Sequence, residues 1–172
     1  MRAHGSRPEN EVWSYGKQAE PILTKYLKLR YALLPYIYSL AHHTYETGAP
    51  YMRALFMDFP NDPNVIDRRY EYMFGPAFLV APVYEQGQTT REVYLPAGTD
   101  WYNYWTNERL HGGQTVTADA PIDRLPLFVR AGSIVPFGSA IENTTETQRI
   151  EHVRVYAGAD ADVSLYQDDG ET

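Results

Sequence analysis

The chain has 172 residues, no cysteine, and 22 acidic against 15 basic side chains, a formal charge of −7. That length suits one domain, or one domain and a piece of another. The acidic balance argues against a surface for nucleic acid or anionic membrane, and the missing cysteines exclude disulfides, thiolate–zinc sites and cysteine nucleophiles. Apolar residues are 44% of the chain and charged residues 22%, enough to build a core.

Residues 1–19 are polar and broken by Gly5, Pro8 and Gly16. They show no apolar h-region, so no signal peptide is visible, and bacterial cytoplasm and periplasm both fit. No apolar run reaches the roughly 18 residues of a membrane helix. Arg2, His4 and Trp13 gather on this stretch, a side-chain set suited to the rim of a sugar site.

Residues 20–47 carry the long helical pattern. Ile22, Leu23, Tyr26, Leu27, Leu33, Leu34, Ile37, Tyr38 and Ala41 recur at helical spacing. Pro21 suits the first turn and Gly48 the stop. Pro35 lies inside and predicts a kink near Tyr31 to Pro35, or two abutting helices. Apolar residues cover more than one stripe, so this helix wants burial on two sides.

Past Gly48 the pattern changes. Met52 to Met57 reads as a strand, and Asp62-Pro63 as the cap of a short helix over Asn64 to Met73. Short strands then follow at Phe78–Val83, Arg91–Leu95, Trp101–Trp105, Thr115–Ala118, Leu127–Arg130, Ser133–Val135, Ile150–Tyr156 and Val163–Gln167. Their even spacing predicts an antiparallel sandwich or barrel. The fold expected is therefore mainly β, an antiparallel β-sandwich preceded by a long helix. Residues 138–149 are polar and Thr-rich, a linker or long loop. Asp168-Asp169-Gly170 signals a hairpin turn with little after it, so the chain reads as cut from something larger at both ends.

Few residues carry visible chemistry. The acid pairs Asp168/Asp169 and Asp160/Asp162 fall in turns, where Asp bonds its own backbone. Asp67/Glu71 have the spacing of a solvated helix face. His42 and His43 are adjacent, so they cannot make the i,i+4 metal pair. There is no phosphate loop and no nucleophile elbow. Trp101 and Trp105 fall on one face if both lie in a strand, as core or as a stacking platform with Tyr102 and Tyr104.

Several strings resemble family 31 of the glycoside hydrolases, the α-glucosidase and α-xylosidase family. They are Arg2-Ala3-His4-Gly5, Leu27 to Tyr38, Met52 to Leu55, Tyr72 to Pro76, Leu79 to Val83, Glu92 to Gly98, Phe128 to Pro136 and Tyr166 to Thr172, in the family's order. The resemblance implies that residues 1–49 are the last loop and helix of a (β/α)₈ catalytic barrel. It implies a proximal C-terminal β-sandwich over 50–138, then a linker and the first strands of a distal β domain over 139–172. Members of the family are retaining glycosidases that use one aspartate as nucleophile and another as acid/base. Both would lie upstream, so no catalytic residue is expected in this chain, which alone should be inactive. Arg2, His4 and Trp13 stand as substrate-binding or rim residues, with bracing of neighbouring loops favoured for Arg2 and His4. No cofactor or metal is implied. The implied partners are an oligosaccharide, met through the parent enzyme, and the rest of the barrel, with an oligomer possible. The Arg2 to Gly5 string and Glu11-Val12-Trp13 lean toward bacterial α-xylosidases. The competing reading is a stand-alone carbohydrate-binding sandwich without catalysis.

Overall fold

A computed structural model describes residues 9–169. After a 3₁₀ turn at Val12–Tyr15, α1 runs over Ala19–Ala32 and α2 over Leu34–Thr47, broken at Leu33. The break falls where Pro35 predicts it. Pro35 has no N–H to give the Tyr31 carbonyl, and the Gln148 side-chain amide donates to that carbonyl instead at 2.9 Å. The same amide donates to the Ser139 carbonyl at 2.8 Å. The polar segment after residue 138 is thereby tied to the helix break. Gly48 ends α2 in the left-handed conformation, φ 73°, as the stop signal requires.

Three strands then build one edge of a sheet: β1 (Met52–Ala54), β2 (Tyr72–Phe74) and β3 (Phe78–Val80). β4 (Thr90–Leu95), β5 (Asp100–Asn103), β6 (Arg109–His111) and β7 (Gln114–Asp119) follow, then β8 (Leu127–Arg130), β9 (Ser133–Gly138) and β10 (Ile150–Tyr156). Six strands form the main antiparallel sheet in the order β1-β2-β3-β8-β5-β6. Antiparallel β4-β7 and β9-β10 form two ribbons. This is the mainly-β sandwich with a preceding helix that the pattern implied.

The main sheet is buried on both faces. Phe78 and Val80 of β3, with Leu127 and Val129 of β8, join Leu33, Tyr36 and Leu40 of the helical pair and Val135 and Phe137 of β9. The alternate residues Leu79 and Phe128 join Val93, Leu95 and Trp101 on the side of the β4-β7 ribbon. Two-sided burial explains why β3 and β8 read as unbroken apolar runs instead of alternating.

Tyr36 joins helix to sheet. It is 4% exposed. Its hydroxyl donates to the Phe74 carbonyl at 3.0 Å and accepts from the Ala77 N–H at 3.2 Å. Both partners lie in the β2–β3 turn. Burial pushes the phenol well above its ordinary range, against the pull of the Ala77 N–H, so it stays a neutral donor. Gly75, φ 61°, occupies that turn, and a Cβ there would collide with the Tyr36 hydroxyl. α1 docks separately. Tyr26 accepts from the Leu125 N–H at 2.6 Å and donates to the Asp123 carbonyl at 3.1 Å, and Lys25 sits 4.6 Å from the Trp105 ring centre.

Five local expectations need correction. Residues 55–58 form α3 (Leu55–Asp58) instead of extending β1, because Asp58 folds back to grip Arg53 through two bonds of 2.7 and 2.8 Å. The cap at Asp62 is present, but only a 3₁₀ turn at Pro63–Val65 follows, and Tyr72–Phe74 is strand. Val65 is 1% exposed and anchors that turn in the core, while β2 is held between β1 and β3. Residues 163–167 form no strand. The Tyr166 N–H bonds the Ser39 hydroxyl at 3.0 Å and its ring stacks on His42, so the segment follows α2. β6, which His111 closes, is a strand absent from the sequence reading. Trp101 and Trp105 do not share a face, because β5 ends at Asn103 and the turn after it breaks the alternation.

Tyr36→Phe leaves the Ala77 N–H buried without a partner and should cost about 1–3 kcal/mol in urea unfolding. Gly75→Ala should cost more, since it adds a collision to a strained φ. Equal or smaller loss in Gly75→Ala would show that the turn does not depend on this contact.

Candidate functional site

A glycosidase needs two carboxylates facing one sugar bond. The buried carboxylates among the described residues are Asp62 and Glu71. Asp62 accepts from the Asn64 N–H at 3.0 Å, the Asn64 amide at 3.2 Å, the Tyr94 hydroxyl at 2.8 Å and the Ala97 N–H at 2.8 Å. Burial alone would raise its pKa, but these donors outweigh it and hold Asp62 below the ordinary carboxylate range. Glu71 accepts from the Tyr94 N–H at 3.3 and 3.2 Å through its two oxygens, with Arg91 at 3.9 Å. Burial dominates there and raises Glu71, against the Tyr94 N–H and the charges of Arg68 and Arg91.

Both acids are therefore committed to β4 and the segment just after it. They satisfy a strand's donors and pin the 62–71 loop, and neither is left to attack a sugar. The solvated-helix reading fails for Glu71, because residue 71 leads into β2 and its side chain turns inward, while Asp67 is exposed in a turn instead of a helix. Glu71 carried one usable signal: it is a lone acid between Tyr70 and Tyr72 in a stretch with strand composition. Asp62 read as a cap and nothing more, since its bonds to Tyr94 and Ala97 span more than 30 residues.

The other candidates are exposed or engaged with structural partners. Asp160 and Asp162 are exposed. Asp168 accepts from the Tyr38 hydroxyl, which raises the Tyr38 phenol. His42 stacks on Tyr166 with ring centres 3.8 Å apart and faces Glu46 at 3.6 Å. His152 stacks on Phe137 at 4.8 Å. Among the described residues no group of three His, Asp or Glu side chains could hold a metal, and no helix is long and apolar enough to cross a membrane. Trp101 is fully buried and donates to the Pro96 carbonyl at 3.0 Å, so it is core and cannot stack on a ligand. Trp13 stands 66% exposed on the 3₁₀ turn that leads into α1. Arg2 and His4 lie outside the described residues.

The helical pair keeps apolar surface uncovered, with Tyr45 89% and Tyr38 46% exposed on α2. α1 holds no buried residue, and Ile22, Leu23 and Leu27 are only half-buried.

Comparison with known proteins finds two matching families of domain. Residues 48–135 match the C-terminal domain of glycosyl hydrolase family 31, and residues 1–40 match the TIM-barrel domain of the same family. An α-xylosidase from Saccharolobus solfataricus is 43% identical across the whole chain, and α-glucosidase 2 from Bacillus thermoamyloliquefaciens is 38% identical across 94% of it. The chain spans 24% and 21% of the length of these curated relatives. The crystal structure of an α-xylosidase from Xanthomonas citri superposes with a TM-score of 0.88 at 50% identity, over 95% of this chain and 18% of that one.

The two buried acids give opposite pH signatures. Asp62, lowered by folding, contributes stability that is present above the unfolded carboxylate pKa and lost as pH falls through the folded one. Glu71, raised by folding, contributes stability that is full below its unfolded pKa and lost as pH rises through the folded one. Urea midpoints between about pH 3 and 7 should show the deficit of Asp62→Asn widening as pH rises, and Glu71→Gln gaining on the parent over the same range. Parallel curves for the two variants would contradict the assigned environments.

Proposed function

The chain belongs to glycosyl hydrolase family 31, and from that premise we propose that it is the C-terminal portion of a retaining α-glycosidase, an α-xylosidase or α-glucosidase that releases terminal α-linked sugars. On this reading residues 1–49 close a catalytic barrel, 50–138 form the proximal sandwich, and 139–172 begin a further β domain. The observation that carries it is the helical pair. One side fills the sandwich core through Leu33, Tyr36 and Leu40, while α1 buries nothing completely.

A barrel packed on that open side supplies the second burial that the apolar pattern calls for. Ile22, Leu23 and Leu27 are already half-buried, so completing their burial adds part of the about 1.5–3 kcal/mol that a fully exposed side chain gains. The role of this chain is then mainly structural: it braces the flank of the barrel and fixes its last helix. The barrel and the oligosaccharide it acts on are the partners of that reading. Arg2, His4 and Trp13 belong to the loop at the mouth of the barrel, where the catalytic face of such folds lies. The nucleophile and acid/base aspartates belong to earlier barrel strands. The commitment of Asp62 and Glu71 to the backbone supports that assignment.

Aryl α-xyloside and aryl α-glucoside incubated with the 172-residue chain should show no turnover above buffer. Hydrolysis that follows the protein through repeated purification would overturn the reading.

A further inference from the structure

A cleft of about 710 Å³ opens between the β5–β6 turn and the end of β10. Tyr102, Tyr104, Trp105, Asn107, Arg154 and Tyr156 line it. No carboxylate lines it, although the chain carries a net charge of −7. Arg154 is exposed and makes no ion pair among the described residues. Ring faces hold it instead, with its guanidinium carbon 5.4 Å from the Tyr104 centre and 4.8 Å from that of Phe137. Tyr156 is 5% exposed, and its buried hydroxyl has the Arg154 guanidinium as its polar neighbour, without a well-aligned hydrogen bond among the described residues. Asn107 adds a side-chain amide from a left-handed turn, φ 59°.

We infer that this cleft binds a saccharide. Aromatic walls suit the C–H faces of a pyranose, and each ring brings an apolar body with a polar tip. The Arg154 fork and the Asn107 amide offer donors and an acceptor to ring hydroxyls. A sugar hydroxyl that draws Arg154 from the ring faces meets the Tyr156 hydroxyl as a second polar partner. A few convergent polar groups in an aromatic cleft are the ordinary make-up of a small-molecule site. The choice of α-linked oligosaccharides as ligand rests on the glycosidase reading. The site itself needs no catalytic residue, so binding and hydrolysis fail separately.

The test titrates the whole chain with maltotriose and with a xyloglucan heptasaccharide, read by calorimetry and by tryptophan emission. One of the two should saturate with a Kd near about 1 mM. Arg154→Ala should weaken binding about tenfold, and Tyr156→Phe about fivefold. Tyr156→Phe keeps the buried ring and removes a hydroxyl that makes no well-aligned hydrogen bond, so it should melt close to the parent temperature, which separates lost binding from lost folding. No saturation by either sugar at about 20 mM overturns the inference. So does unchanged affinity in Arg154→Ala, or a melting point several degrees lower in Tyr156→Phe. Absence of binding with the glycosidase reading intact would appear as a silent cleft in a longer enzyme that still hydrolyses α-glycosides.

Discussion

Helix and sheet meet in this protein at one buried hydroxyl. An α-helix presents side chains and a sheet turn presents backbone, and the two need a group that can both give and accept. Tyr36 provides it, donating to Phe74 and accepting from Ala77 across the β2–β3 turn. Around that pair of bonds the ring packs edge-on against Phe78, with centres 5.4 Å apart. Gly75 leaves the space. The position of α2 follows from these contacts, and with it the direction in which α1 leaves the sandwich. Tyr26 and Lys25 then fix α1 on residues 123–125, so its half-buried face keeps one orientation.

The second constraint is polar satisfaction beneath β4. Two carboxylates inside a protein are costly unless donors surround them. Asp62 collects backbone and side-chain donors and is held ionised. Glu71 has fewer, and folding favours its proton. Acids that could have signalled catalysis thus close a loop onto a strand. The same logic is only partly met at the Tyr156 hydroxyl in the cleft beside Trp105, where Arg154 is its polar neighbour.

The sequence spelled out its regular parts well. Helical spacing, Pro35 and Gly48 gave the helical pair, its break and its end. An apolar run after Pro126 gave β8 to the residue, and the alternating stretch Ile150–Tyr156 gave β10. Errors came where distant partners overrule local signals. The Arg53–Asp58 pair turned a strand continuation into α3. Anchoring on α2 drew 163–167 away from a sheet. Glu71 looked solvated because Tyr94, which takes its oxygens, is 23 residues away. The Trp101/Trp105 alternation failed because nothing in the spacing shows that β5 stops at Asn103. Of the rim residues, Trp13 is exposed on its turn, while Arg2 and His4 fall outside the described residues.

The central claim is that α2 and the main sheet form one cooperative unit, leaving the outer side of the helical pair to another body. Native-state hydrogen exchange on the chain tests it most directly. Amides of 36–41 in α2 should open with the same free energy as those of β3 and β8, and amides of 22–28 in α1 should exchange earlier. Fast exchange throughout α2 with β3 and β8 still protected would show that the helix is not part of the sandwich core, and the account would fail.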